Sequence, residues 1–298
     1  MAKRLVQAIG LKRRLRALAD LEGDPAALQK GVGKLRRTDR RRPPWTIRRR
    51  WDTTRLDGDG NDLFVMSKQG APASRVLMYL HGGGYMFGPF ATEWAAMGRV
   101  AAGTGCDFAM FMYPRAPEHG AQTTLDATVA AYEMLVARYG AGNVLVVGTS
   151  AGGGLAVALM TSLRDSGRPL PSCAVLLSPG VDMTLQSDVA ALEPGDVMLP
   201  VAHVRSAGRI YARDLGPGHP IVSPINADLA GLPPLHLFVA DSEILRPSLE
   251  SFAERARSAG TETHVVLGED AQHTWPIAPT PDGRIALDRI KEIVGGYA

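Results

Sequence analysis

The sequence predicts an α/β fold with a mostly parallel central sheet and helices on both of its faces. Three observations carry this expectation. Short β-rich apolar runs alternate with helical stretches along most of the chain, the rhythm of repeated strand–helix–strand units with right-handed crossovers. Several of the runs are apolar throughout, as strands covered on both faces require. The 298 residues are 45% hydrophobic and 21% charged, a balance that suits a folded globular chain and excludes a disordered one.

The first fifty residues stand apart. They hold 16 Lys and Arg against 4 acidic residues, whereas residues 51–298 hold 17 against 26. The modest net charge of +3 therefore hides a basic segment on an acidic body. Leu5, Ile9, Leu11, Leu15, Leu18 and Leu21 recur by threes and fours, which predicts an amphipathic helix. Gly23 and Pro25 interrupt it, and a second short helix is expected from Pro25 to Leu35. The stretch TDRRRPPWTIRRRWD is too broken by proline for one regular element, so the boundary is placed near Trp51.

RLDGDGNDLFVMSK reads as a strand, a turn and a second strand. Its Asp57–Asp62 run has the look of a calcium loop, but the sixth position is Asp62 rather than Gly and the twelfth is Lys68 rather than Glu. The expectation is a plain turn. The further strands are 75–80, 107–113, 143–148, 173–178, 235–240 and 263–268, with helical segments at 124–138, 151–165, 247–259 and 285–294. Residues 184–222 carry helical patches but no clear strand, and read as an insert.

The strongest chemical signal is Gly148-Thr149-Ser150-Ala151-Gly152. It follows the apolar strand NVLVVG and opens the helix AGGGLAVALMTSL, the strand–turn–helix setting that presents a nucleophilic serine above the carboxyl ends of a sheet. No lysine follows at the spacing of a phosphate loop. Upstream, a buried strand runs into His81-Gly82-Gly83-Gly84-Tyr85. Three successive glycines give no packing return, but bare amides there, with that of Ala151, suit the oxyanion of a tetrahedral intermediate.

A serine nucleophile needs a base, and the base an orienting carboxylate. Of the histidines after Ser150, His203 and His219 lie in the insert and His236 begins a buried strand. His273 lies in the loop after the last strand, and is the expected base. Asp241 and Glu243 both stand beyond the strand 235–240. Alternation puts them on one side if the strand continues, so spacing alone does not choose between them.

These motifs resemble the hormone-sensitive-lipase-like branch of the α/β-hydrolases, the bacterial family IV esterases. The resemblance runs from about residue 60 to 276, through HGGGY (81–85), Tyr113 with Ala116-Pro117-Glu118-His119, GTSAGG (148–153), SPGVDMTL (178–185), SPINADLAGLPPLHLFVADSEIL (223–245) and AQHTWP (271–276). It implies cofactor-free hydrolysis of carboxylic esters with short to medium acyl chains. It also implies an α/β-hydrolase core of residues 51–183 and 223–298, under a helical cap built from 1–50 and the insert 184–222. Gly83 and Gly84 would supply oxyanion donors, and Tyr85 of the same motif is read as a substrate contact. Most members have Asp before the serine; Thr149 matches a GTSAGG subgroup. Aligning the family's acid motif on its leucine puts Glu243 in the acid's place and leaves Asp241 as the runner-up.

A lactonase, amidase or deacetylase would use the same triad, and a non-catalytic ligand-binding protein would lack part of it. The basic segment raises nucleic-acid or anionic-membrane binding, but no nucleic-acid module accompanies it and the expectation is a solvated face; arginines facing an acidic substrate are a further reading. Neither nucleic acid nor stable membrane association is expected. No apolar run reaches the roughly 18 residues of a membrane span. No secretory leader is read at the start, and Cys106 and Cys173 have neither zinc nor disulfide spacing. A cytoplasmic enzyme without metal or cofactor is expected, with a homodimer as the assembly the family suggests.

Overall fold

The structure, a computed structural model, describes residues 2–58, 60–70, 73–186 and 189–297; the side chains of residues 2–9, Leu5 and Ile9 among them, and Asp59 of the hairpin turn lie outside the description. Eight strands form one sheet: β1 (Trp51–Gly58), β2 (Asn61–Lys68), β3 (Val76–Leu80), β4 (Asp107–Phe111), β5 (Val144–Thr149), β6 (Ala174–Leu177), β7 (Leu235–Ala240) and β8 (Thr263–Gly268). Their order is β1-β2-β4-β3-β5-β6-β7-β8. The first two strands are a hairpin and β2 meets β4 antiparallel, while β3 to β8 run parallel to their neighbours.

The continuous apolar strands are explained by two cores. In β5, Val144 and Val146 face one hydrophobic cluster while Leu145 and Val147 face the other. In β3, Met78 and Leu80 face the first, and Leu77 and Tyr79 the second. Each side of the sheet is therefore covered, and period-2 alternation assigns every residue to a core rather than to water. The edges differ: β8 leaves Val265 and Leu267 exposed.

Nine helices lie among the described residues: α1 (Ala2–Ala19), α2 (Pro25–Leu35), α3 (Trp45–Arg48), α4 (Ala91–Thr104), α5 (Ala121–Tyr139), α6 (Ala151–Asp165), α7 (Val201–Ala212), α8 (Arg246–Ser258) and α9 (Pro281–Gly296). Asp24 caps α2 by accepting from the amides of Ala26 and Ala27, with Pro25 pre-set at the first position. Leu15, Leu18, Leu28 and Val32 of α1 and α2 are buried. The insert contributes one helix, α7, and α1 packs against it. Arg209 of α7 holds Glu22 through two bonds of 2.6 Å, and Lys12 of α1 donates to the carbonyls of Glu193 and Asp196. No helix among the described residues is long and apolar enough to cross a membrane.

Candidate active site

Ser150 sits between β5 and α6 with φ +53° and ψ −121°, a left-handed conformation that costs an L-residue energy and lifts its side chain clear of the sheet. The turn is held by the Ser150 amide donating to Leu177 O at 2.9 Å and by the Gly180 amide donating to Ser150 O at 2.8 Å. Its glycines are steric necessities. A β-carbon on Gly152 would lie 2.1 Å from the Leu80 carbonyl oxygen, and one on Gly148 would lie 2.5 Å from that of Gly152.

His273 is brought to this serine from the loop after β8. Its Nε2 lies 2.9 Å from Ser150 Oγ and its Nδ1 lies 2.7 Å from Glu243 Oε2. The Thr274 amide donates to Ser178 Oγ at 3.1 Å and fixes the next residue of the loop. Glu243 is fully buried, and its second oxygen accepts from the Ala240 amide at 2.9 Å.

Asp241 is not brought to the histidine. Strand β7 ends at Ala240, so the alternation that would align the two carboxylates stops before it reaches them. Asp241 instead accepts the amides of Asp270 and Ala271 at 2.8 and 3.1 Å, tying down the loop that leads to His273. Burial pulls its pKa upward, but the bonds from Asp270, Ser242 and Ala271 together carry it below the usual carboxylate range.

The glycine loop divides its amides. The Gly82 amide donates to Glu93 Oε1 at 2.8 Å, so it is spent internally. Among the described residues no acceptor in the chain engages those of Gly83 and Gly84, which have φ +109° and +57°. Ala151 opens α6, and its amide is one that a helix leaves unpaired. All three residues border the cavity beside Ser150. Tyr85 departs from its expectation. It is wholly buried, stacks on Tyr211 of α7 with ring centres 3.7 Å apart, and is not among the residues lining the cavity. Its φ of +61° takes it out of the path of its neighbours and into the packing beneath α7.

The cavity holds about 350 Å³, enough for a small ligand. Leu11 and Leu15 of α1 and Val204 and Ala207 of α7 line it together with Ser150 and His273. No Lys or Arg lines it among the described residues. The basic segment spends its charge elsewhere: Arg36 donates to Met86 O and Ala116 O and pairs with both oxygens of Glu118. The same segment supplies Asp39, buried against Arg115 at 2.5 Å and accepting from the Gly88 amide. Among the described residues no group of three His, Cys, Asp or Glu could hold a metal ion. Cys106 and Cys173 are free and buried.

Three contributors escape sequence reasoning. Asp196 of the insert accepts the Ile244 amide at 3.0 Å, next to Glu243. Buried Glu93 accepts from Gly82, from Phe90 and from Tyr79 Oη, and Tyr79 lies 2.6 Å from Thr149 Oγ1. One carboxylate thus joins the glycine loop to the residue before Ser150. Burial raises its pKa against the pull of those bonds. His203, placed in the insert by sequence, lines the cavity. For Glu93 the available signal is its place at the third position of α4, where a glutamate caps the helix start; nothing local marks the other two.

Comparison with known proteins agrees with this architecture. The family model described as "alpha/beta hydrolase fold" matches residues 77–277. An esterase of Acinetobacter venetianus is 31% identical over 288 residues, covering 95% of this chain and 92% of its own length. An acetyl-hydrolase of Streptomyces hygroscopicus is 33% identical over 229 residues, covering 75% of each. The crystal structure of an esterase from the bacterial hormone-sensitive lipase family is similar over 100% of this chain and 99% of its own, at 31% identity and a TM-score of 0.81. The chain belongs to the hormone-sensitive-lipase-like esterases of the α/β-hydrolase superfamily and hydrolyses carboxylic esters.

Proposed function

We propose that ester cleavage runs through an acyl-enzyme on Ser150, with His273 as general base and acid and Glu243 as its orienting acid. The observation that carries this reading is the single imidazole bonded at once to Ser150 Oγ and to Glu243. Glu243 accepts a hydrogen bond from Nδ1–H and holds that proton on Nδ1, which leaves the Nε2 lone pair free to take the serine proton as Oγ attacks the carbonyl carbon. The oxyanion accepts bonds from the amides of Gly83, Gly84 and Ala151, each worth about 3–4 kcal/mol in comparable sites. Collapse expels the alcohol, protonated by His273; water then enters, gives a proton to His273 and releases the acid.

Residues 1–50 and 184–222 act in this reading as a cap over the core of 51–183 and 223–298, supported by the leucines of α1 and the face of α7 that roof the cavity. Short to medium acyl chains are its substrates, in keeping with the cavity's size and with the acetyl-hydrolase among its relatives. Thr149 before the serine supports reading the chain as one of the GTSAGG subgroup. Buried free thiols favour a reducing, cytoplasmic setting, and the exposed apolar edge of β8 favours a homodimer.

The test is Ser150→Ala against p-nitrophenyl butyrate, with a thermal melt as folding control. Turnover is expected to vanish, and wild-type protein is expected to gain the mass of one diethylphosphoryl group on Ser150 after treatment with diethyl p-nitrophenyl phosphate. Undiminished activity in the folded variant would overturn the assignment.

A further inference from the structure

The cap lends the cavity apolar side chains, Leu11, Leu15, Val204 and Ala207, and His203 of α7 lines it with them. The imidazole is 3% exposed and lies against Phe87, with ring centres 6.3 Å apart and 25° between the planes. Its Nδ1 is buried without a hydrogen-bond partner, and among the described residues none engages Nε2 either. Nε2 points toward the glycine loop: a β-carbon on Gly84 would stand 3.3 Å from it. A buried polar group in a folded protein is normally paired. Nε2, beside Gly84 at the cavity, is the nitrogen placed to take a partner from what fills it.

Burial pushes this histidine's pKa down to about 4, so near neutral pH the ring is uncharged, with one N–H and one lone pair. A buried N–H without an acceptor is rarer in proteins than an under-used lone pair. The proton therefore belongs on Nε2, the nitrogen beside the cavity, and the lone pair on enclosed Nδ1.

We propose that His203 is a substrate-contact residue whose Nε2–H donates a hydrogen bond to an oxygen of the ester other than those of the scissile group, so that the pocket favours keto-, ether- or hydroxyl-bearing esters over purely aliphatic ones. The inference rests on the reading of Ser150 and His273 as the reacting pair, because it needs the ester seated beneath α7. Among the described residues no cation lines the cavity to recognise a carboxylate, and a neutral donor suits a neutral acceptor. The oxygen belongs to either half of the ester, since both flank the reacting carbon.

The experiment compares kcat/KM for matched pairs. The acyl arm sets p-nitrophenyl 4-oxopentanoate against p-nitrophenyl pentanoate; the alcohol arm sets 2-methoxyethyl butanoate against butyl butanoate. Each ratio is measured for wild type, His203→Phe and His203→Gln, so that intrinsic differences in ester reactivity cancel between proteins. Phenylalanine keeps a ring against Phe87 and removes the donor; glutamine keeps an N–H. In one arm the preference for the oxygen-bearing ester is expected to fall by about threefold to tenfold in His203→Phe. His203→Gln is expected to restore part of it. Ratios unchanged in both arms would overturn the proposal. So would an equal loss on plain and oxygen-bearing esters, which marks a packing role. Failure of plain and oxygen-bearing esters alike in the wild type would instead fault the reacting pair.

Discussion

Glu93 Oε1 accepts the amide of Gly82 at 2.8 Å. That bond sorts three identical residues by function. It removes the first glycine of the loop from the pool of free donors and leaves the second and third beside Ser150. Through Tyr79 and Thr149 the same carboxylate reaches the turn of Ser150, so the glycine loop and that turn share one buried anchor.

Glu93→Gln tests that anchor. The amide retains one oxygen but turns an N–H toward either the Gly82 or the Phe90 amide, so one of the three bonds becomes a donor–donor contact. The glycine loop then shifts relative to Ser150. Because misplacement by about 1 Å can cost roughly a hundredfold, kcat is expected to fall between tenfold and a hundredfold, with KM changed much less. Steady-state kinetics on p-nitrophenyl butyrate decide it. An unchanged kcat would show that the loop holds itself.

The two carboxylates after β7 give the second test. Glu243→Gln leaves the shape of the site intact but cannot hold the His273 proton on Nδ1, and kcat is expected to drop by about three to four orders of magnitude. Asp241→Asn keeps one acceptor oxygen for the loop of Asp270 and Ala271. Its kcat is expected to stay within about fivefold, with stability lowered by about 1 kcal/mol. The reverse ranking would move the acid to Asp241.

This pair also marks how far sequence reaches. The inner strands were legible because each is an apolar run lying between two cores, and Ser150 because a glycine turn between strand and helix has few other uses. His273 followed from its loop, whereas the other histidines after Ser150 lie on strands or in the insert. The choice between Asp241 and Glu243 turned on where β7 ends and on which amides the returning loop presents, and no local pattern records either. Asp196 and Glu93 were hidden for the same reason: each acts by accepting amides from a distant or folded-back segment. Tyr85 was misplaced because a motif gives neighbours in sequence, whereas its left-handed backbone sends it under α7.

His203 yields a pH prediction. Its folded pKa lies near 4 through burial, against about 6.5 in the unfolded chain. Between those values the unfolded state binds the proton that the folded state refuses, so stability is full above about pH 6.5 and is lost as pH falls toward 4. The contribution is at most about 3 kcal/mol. Urea denaturation of the wild type and His203→Phe at pH 7 and pH 5 is expected to show a smaller acid-induced loss in the variant. Equal losses would mean that the ring is hydrated in the folded state.

The last test concerns the basic segment, whose charge suggested an affinity for acidic substrates. Arg36 is committed to Met86, Ala116 and Glu118. Arg41 donates to Met112 O, and burial lowers its pKa. Lys12 caps carbonyls of the insert. Among the described residues, those of α1 that line the cavity are Leu11 and Leu15. A carboxylate entering an apolar cavity sheds its hydration without meeting a cation, which is costly. The p-nitrophenyl monoester of succinic acid is therefore expected to react at least tenfold more slowly, in kcat/KM, than p-nitrophenyl butyrate, with little change when salt is raised from 50 to 500 mM. A faster reaction of the charged ester that salt suppresses would mean that arginines outside the cavity steer substrate toward it.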